Sequence, residues 1–173
     1  MGLTHIYCGN GKGKTTAAFG LAMRAAGRSK KILIAQFLKN NDSGERNSAA
    51  LLRNITLLPC PENIKFTFDM NDQEKKDMAV YCKGLLDRAF FMAEQDAYDM
   101  LILDEVLPAV DSGIIERQTL VELIINKPSS MELILTGRCE DKSLYNYADY
   151  VSEINDIKHP YSNGITARIG IEK

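Results

Sequence analysis

The chain has 173 residues, of which 45% are apolar, and a formal charge of −2 at pH 7. This length suits a single domain over residues 1–173, and the small negative charge excludes a broad cationic surface, so nucleic acid is not an expected partner. No apolar run approaches the roughly 18 residues that span a bilayer, and the four cysteines show no C-x-x-C pairing. We therefore expect a cytoplasmic protein with reduced thiols, no signal peptide and no membrane partner.

Strands and helices alternate along the chain. Short apolar runs predict strands at residues 3–7, 31–37, 100–104 and 131–136, and helical patterns follow at 14–26, 45–53, 72–95 and 118–126. This order predicts an α/β fold with a mostly parallel sheet flanked by helices. Residues 150–154 and 165–171 frame a turn-rich segment, which predicts a C-terminal hairpin.

The segment YCGNGKGKTT, residues 7–16, has the order strand, glycine loop and helix that a Walker A phosphate loop requires. It ends in Gly13-Lys14-Thr15, but Cys8 stands where the usual pattern has its first glycine. Loop N–H groups, the helix N-terminus and Lys14 would hold phosphates, and the Thr15 hydroxyl would bind Mg²⁺. The alternative is a glycine-rich turn before a helix. The flanking strand and the Lys-Thr pair favour nucleotide binding.

Two acids, Asp104 and Glu105, follow the apolar run MLIL. Ligands of α/β proteins gather at the carboxyl ends of such buried strands, so the pair is typical of a Walker B motif. We predict that Thr15, Asp104 and Glu105 hold Mg²⁺ or Mn²⁺. The alternative is a pair of solvated acids that cap the next helix.

Further motifs match one known family over essentially the whole chain. They are GNGKGKTTAAFG (9–20), MRAAG (23–27), QFLK (36–39), SGER (43–46), LDE (103–105), LTGR (135–138), ADYVSE (148–153), KHP (158–160) and GIE (170–172). Together they resemble the ATP:corrinoid adenosyltransferases of the phosphate-loop type. The resemblance implies a P-loop NTPase (RecA-like) architecture and a shortened phosphate loop that holds ATP in the reverse sense. It also implies attack of a reduced Co(I) corrinoid on the ribose C5′ of ATP, with release of triphosphate and no protein nucleophile.

The resemblance assigns roles by position. Lys14, Thr15 and Glu105 would be the catalytic residues. The implied ATP-binding residues are Gly9, Asn10, Gly11, Lys12, Gly13, Lys14, Thr15, Thr16, Arg24 and Arg138. The implied corrinoid-binding residues are Gln36, Lys39, Glu45, Phe66 and Phe68.

Several of these residues also have a simpler interpretation. Arg24 and Arg138 could be surface ion-pair partners, and Gln36 could satisfy a buried strand end. In the family, aromatic side chains beneath the corrin displace the lower ligand of Co(II), and Phe66 and Phe68 match that segment. An alternating strand would instead place both phenylalanines on one face of the core.

The resemblance also implies a homodimer and a flavodoxin-like or flavin reductant. Many relatives carry an N-terminal segment that covers the site, and we expect this chain to lack it because its first strand begins so early. Two other functions stay open from the residues alone. One is a phosphate-loop kinase or hydrolase that acts at the γ-phosphate, and the other is a non-catalytic, nucleotide-dependent corrinoid-binding module.

Overall fold

A computed structural model describes residues 1–61 and 70–172. Its strands are β1 (Thr4–Cys8), β2 (Ile32–Gln36), β3 (Ile55–Leu57), β4 (Met100–Asp104), β5 (Glu132–Thr136) and β6 (Tyr150–Glu153). Its α-helices are α1 (Lys14–Ala26), α2 (Gly44–Ala49), α3 (Asp72–Gln95), α4 (Val106–Asp111) and α5 (Arg117–Asn126), and 3₁₀ helices span Lys142–Tyr147 and Pro160–Asn163. Across these described ranges, no helix has the length and apolar character needed to cross a membrane.

All six strands form one parallel sheet in the order β3-β2-β4-β5-β1-β6. Every residue of β2 and β4 is buried, because helices cover both faces of the sheet. On one face, Phe19 and Ala22 of α1 pack with Ile34 and Ile102. The other face packs against α3, α4 and α5. The predicted α/β class with a P-loop NTPase-like architecture is confirmed.

Local sequence signals explain most element boundaries. Asn71 and Glu74 form a reciprocal capping box that starts α3, and Pro128 follows the end of α5. The predicted bounds of α1, α3 and β4 agree with the structure, whereas α2 ends at Ala49 and is shorter than predicted. The sequence patterns did not predict β3 and α4, which have only three and six residues.

The predicted C-terminal hairpin is wrong. Tyr150–Glu153 forms β6, but β6 pairs in parallel with β1, and residues 165–171 contain no strand. The Asp149 carboxylate accepts the Thr4 N–H at 2.8 Å, and the Asp149 N–H donates to the Thr4 carbonyl at 2.8 Å. These two bonds fix the start of β6 against β1, so the open edge of β1 takes β6 as its partner.

After β6 the chain crosses the phosphate loop. The Ile154 N–H donates to the Cys8 carbonyl at 2.9 Å, and the Gly11 N–H donates to the Ile154 carbonyl at 2.7 Å. Gly9 lies under this crossing with φ 100°, and a Cβ there would lie 2.3 Å from the Ile154 oxygen. Gly9 is therefore required by the close approach of two backbone segments as well as by its positive φ.

We expect Gly9→Ala to lower the free energy of unfolding by about 2 kcal/mol or more, because positive-φ strain alone costs about 1–3 kcal/mol. Gly84→Ala is the matched control, since Gly84 lies within α3 and a Cβ there meets nothing within 4 Å. The control should raise stability by about 0.5–1 kcal/mol. Urea unfolding followed by circular dichroism measures both changes. Equal effects of the two substitutions would contradict the proposed close approach.

Candidate nucleotide site

A cleft of about 660 Å³ opens at the carboxyl end of the sheet. This volume suits a small-molecule ligand, for which pockets of about 300–1,000 Å³ are usual. The phosphate loop, α1, α2 and the C-terminal segment surround it. The lining residues are Gly11, Lys12, Gly13, Lys14, Thr15, Thr16, Phe19, Gly20, Met23, Lys39, Gly44, Glu45, Ser48, Ala49, Glu105, Gly170, Ile171 and Glu172.

The phosphate loop turns directly into α1. Gly13 has φ 119° and is the N-cap of the helix, and a Cβ there would meet nothing within 4 Å. The N–H groups of the first helical turn have no intrahelical partner, so they can bind an anion. The outer amide of Lys12 instead donates to the Asp156 carboxylate at 3.3 Å. The N–H groups that remain available to an anion are therefore those at the inner end of the loop, Gly13–Thr16.

Asp104 is fully buried and binds four side chains. Its Oδ1 accepts hydrogen bonds from Thr15 Oγ1 at 2.9 Å and Thr136 Oγ1 at 2.6 Å. Its Oδ2 accepts from Gln36 Nε2 and Lys39 Nζ, both at 2.9 Å. A buried carboxylate needs such donors because desolvation is otherwise costly. Asp104 thus joins the phosphate loop to β2, β4 and β5.

The Asp104–Lys39 pair is ionised. Burial alone would raise the pKa of Asp104, but the Lys39 charge and the hydrogen bonds from Thr136, Gln36 and Lys39 lower it. Burial alone would also lower the pKa of Lys39, but the Asp104 carboxylate raises it above its ordinary value. Each charge therefore stabilises the other in a site with little solvent.

Glu105 differs from its neighbour in backbone and environment. Its φ is 58° and its ψ is 28°, a left-handed conformation that is strained for a non-glycine residue. Its N–H donates to Thr136 Oγ1 at 2.9 Å, and its side chain lines the cleft. Burial and the nearby Asp104 charge raise the pKa of Glu105, although Lys39, Lys14 and Arg138 oppose the shift. Strain and desolvation together make Glu105 a candidate functional residue.

Gln36 is 1% exposed and does not line the cleft. Its amide donates to Asp104, and its Oε1 accepts a hydrogen bond from Arg46 Nη1 at 2.8 Å. Arg46 is 8% exposed and also donates to the Leu58 carbonyl at 3.0 Å. Gln36 therefore orients Asp104, and Arg46 orients Gln36.

Arg46 and Thr136 were not among the predicted site residues. Thr136 is the polar last residue of the apolar strand MELILT, directly beside β4 in the sheet. A polar residue at the carboxyl end of a buried strand is a signal that could have identified it. Arg46 lies in the motif SGER, but nothing in the sequence shows that its guanidinium reaches a buried glutamine.

Some of the other predicted site residues line the cleft and others do not. Glu45 lines the cleft, with its carboxylate 3.8 Å from Lys39 Nζ. Arg138 is exposed after β5, and its charge lowers the pKa of Glu105. Arg24 is exposed and does not line the cleft, and its charge acts on Tyr7 instead. Gly9 and Asn10 are also absent from the lining of the described cleft, and Phe66 and Phe68 lie outside the described residues.

The donors at the cleft suit a hard divalent cation. Thr15 supplies a hydroxyl and Glu105 a carboxylate at the cleft, and the buried Asp104 carboxylate accepts the Thr15 hydroxyl. Oxygen ligands of this kind are the ones that Mg²⁺ prefers. Within residues 1–61 and 70–172, no group of three or more His, Cys, Asp or Glu side chains could hold a metal.

Fold and site together define an α/β nucleotide-binding protein of the P-loop class. A family model described as "ATP:corrinoid adenosyltransferase BtuR/CobO/CobP" matches residues 1–172, and the chain belongs to this family. The chain is 33% identical to the corrinoid adenosyltransferase of Escherichia coli strain K12, over 99% of this chain and 85% of that protein. It is 31% identical to the corrinoid adenosyltransferase CobA of Salmonella typhimurium strain LT2, with the same coverage. The corrinoid adenosyltransferase of Pseudomonas aeruginosa is 29% identical, over 99% of this chain and 83% of that protein.

We expect opposite effects on stability from the two neighbouring acids. Asp104→Asn should lower the free energy of unfolding by about 3 kcal/mol, because breaking a buried ion pair leaves the other charge without compensation. Glu105→Gln should be at least as stable as wild type at pH 7, because the native state disfavours the charged form of Glu105. Urea unfolding of the metal-free proteins measures both effects.

The advantage of Glu105→Gln should depend on pH. The pKa of Glu105 in the folded protein is raised above 4.5. Ionisation of Glu105 therefore lowers the stability of wild type, and this loss grows as the pH rises through the range in which the carboxyl ionises. Below pH 4.5 the carboxyl becomes neutral in both folded and unfolded protein, so the variant and wild type should converge. A Glu105→Gln protein that is less stable than wild type at pH 7 would contradict the proposed desolvation.

Proposed function

We propose that the protein transfers the 5′-deoxyadenosyl group of ATP to the Co(I) of a reduced corrinoid and releases triphosphate. The observation that carries this proposal is the joint placement of Lys14, Thr15 and Glu105 around one cleft, in a chain whose whole length matches the corrinoid adenosyltransferase family. The reaction forms a cobalt–carbon bond and breaks the bond between C5′ and its oxygen. The electron pair of Co(I) enters the new bond, and triphosphate takes the electrons of the broken one.

The phosphate loop stabilises the leaving group. Negative charge develops on the triphosphate as the bond to C5′ breaks, and donors that are already oriented stabilise such charge without reorganisation. The N–H groups of Gly13–Thr16 and the ammonium of Lys14 are these donors. Lys14 Nζ donates to the Gly11 carbonyl at 2.8 Å, so its charge is held beside the loop before substrate binds.

Direct displacement by the corrinoid fits the chemistry of the cleft. No cysteine or histidine lines the described cleft. Burial raises the pKa of Cys82 to about 11 and that of Cys139 to about 12, so these thiols are neutral at physiological pH. A neutral thiol is a poor nucleophile. The reduced corrinoid itself therefore supplies the attacking electron pair.

Thr15, Asp104 and Glu105 would hold Mg²⁺ or Mn²⁺, with Asp104 acting in support. When bound, the cation supplies positive charge to the triphosphate. Asp104 is already hydrogen bonded to Thr15, so it fixes the hydroxyl that would bind the cation. Glu105 adds a carboxylate at the cleft surface.

We further propose which residues bind the corrinoid, and in what assembly and compartment the protein acts. Glu45 and Lys39 line the cleft and are proposed to bind the corrinoid. Gln36 is proposed to support this part of the site from the buried end of β2. Phe66 and Phe68 are proposed to displace the lower ligand of Co(II). We also propose a homodimer in the cytoplasm that receives electrons from a flavodoxin-like or flavin reductant.

Anaerobic incubation with Mg-ATP and chemically reduced cobalamin tests the proposal. We expect loss of the Co(I) absorption, formation of a light-sensitive alkylated corrinoid and release of one triphosphate per corrinoid. The visible spectrum and chromatography of the phosphates measure these products. Release of ADP without alkylated corrinoid would instead indicate reaction at the γ-phosphate, and binding without turnover would indicate a non-catalytic module.

We expect Lys14→Ala to reduce kcat/KM for ATP by a factor on the order of 100, since loss of one positioned donor to a developing anion has an effect of this size. Its unfolding midpoint in urea should stay near wild type, because the one hydrogen bond of the Lys14 side chain within residues 1–61 and 70–172 goes to the Gly11 carbonyl of the loop. Full activity of this variant would exclude the phosphate-loop role.

Phe68→Ala separates reduction from transfer. If Phe68 displaces the lower ligand, the variant should be nearly inactive when the reaction starts from Co(II) with a flavin reductant, and largely active with Co(I) made chemically. Phe68→Trp should keep activity in both assays, provided that the larger ring fits. Equal rates of Phe68→Ala and wild type from Co(II) would leave Phe68 without this role.

A further inference from the structure

The ammonium of Lys39 lies against the two residues at the centre of the proposed cation site. Its Nζ is 2.9 Å from Thr15 Oγ1 and 2.9 Å from Asp104 Oδ2. The Lys39 side chain is 28% exposed, and that of Asp104 is 0% exposed. A positive charge of the protein therefore already occupies the place between the phosphate loop and the acid of β4.

The directions of the hydrogen bonds show which lone pairs Lys39 uses. An ammonium group can only donate, so Thr15 Oγ1 and Asp104 Oδ2 both accept from it. The hydroxyl proton of Thr15 is donated to Asp104 Oδ1 at 2.9 Å. Lys39 thus takes oxygen lone pairs of the kind that a hard divalent cation needs. Two cations that share these oxygens would repel each other strongly in a site of low dielectric.

The site would keep its shape if Lys39 left. Asp104 Oδ1 would retain Thr15 and Thr136, and Asp104 Oδ2 would retain Gln36. Gln36 is itself held by Arg46 from its other side. The carboxylate therefore has enough fixed donors to stay in place, and the departure of the ammonium would free lone pairs for another cation.

Glu45 is an alternative ion-pair partner for Lys39. Lys39 lies on the loop after β2, next to Leu38, whose φ of 52° is uncommon for a non-glycine residue. The Glu45 carboxylate is 3.8 Å from Lys39 Nζ and lines the same cleft. A short movement of the side chain would exchange Asp104 for Glu45 as its partner.

We propose that Lys39 is a positioning residue that substitutes for the divalent cation in the metal-free site, and that the arriving cation displaces it from Thr15 and Asp104 toward Glu45. The inference rests on the cation site of the proposed function, but it concerns the protein and the metal alone. Lys39 supplies the charge that compensates the buried Asp104 carboxylate before the metal binds. It also weakens metal binding in the absence of substrate, because the cation must displace a charge.

Mn²⁺ binding without ATP or corrinoid tests this exchange. The free Mn²⁺ signal in electron paramagnetic resonance gives the dissociation constant. Lys39→Met removes the competing charge and should bind Mn²⁺ at least tenfold more tightly than wild type. Lys39→Arg keeps the charge and should stay within threefold of wild type.

Lys12→Met is the matched control, because Lys12 lines the cleft and pairs with Glu172 at 3.2 Å without contacting Thr15 or Asp104. Its Mn²⁺ affinity should change less than threefold. Unchanged affinity of Lys39→Met, including no detectable binding by either protein, overturns the proposal. An equal gain in Lys12→Met also overturns it, since the effect would then come from overall charge.

A second measurement uses wild type and does not depend on whether a variant folds. Acetylation of lysines, read by mass spectrometry, should label Lys39 slowly in metal-free protein and faster with saturating Mn²⁺, because an ammonium released from Thr15 and Asp104 is more accessible to the reagent. Lys30, which pairs with Asp99 on the surface, is the internal reference and should not change. Equal labelling of Lys39 with and without Mn²⁺ overturns the proposal, whatever product the enzyme forms from ATP.

Discussion

The carboxylate of Asp104 connects the phosphate loop to the middle of the sheet. Thr15 belongs to the start of α1, Thr136 to the end of β5 and Gln36 to the end of β2, and each donates a hydrogen bond to this one side chain. Because Asp104 has no exposure to solvent, these bonds and the charge of Lys39 are what allow it to stay ionised. The parallel sheet brings the strand ends together, and Asp104 holds them in one arrangement.

Asp104 and Glu105 are adjacent, but the structure gives them different tasks. Asp104 has four donors and a lowered pKa, so it contributes to the stability of the native state. Glu105 has a left-handed backbone, which is strained, and its raised pKa reflects the desolvation of its carboxyl at the surface of the cleft. Thr136 links them, because it donates to Asp104 and accepts the Glu105 N–H.

The sequence predicted the long elements and the phosphate loop well, since α1, α3 and β4 carry strong periodic or apolar patterns and local stop signals. It did not predict β3 and α4, whose patterns are too short to identify. The predicted C-terminal hairpin was wrong because β6 pairs with the open edge of β1 instead. Which strand edge is open is a property of the tertiary structure. Likewise Lys39 and Gln36 were predicted at the corrinoid, but their contacts with Asp104 depend on how two strands end side by side.

The central claim is that the cleft promotes cleavage between C5′ and its oxygen rather than at phosphorus. ATP with ¹⁸O at the oxygen that bridges C5′ and the α-phosphorus tests it directly, in an anaerobic reaction with Co(I) cobalamin and Mg²⁺. Mass spectrometry of the products locates the label. The account predicts that all of the ¹⁸O leaves with triphosphate and that none remains on the nucleoside. Label retained on an adenosine-containing product such as ADP would contradict it.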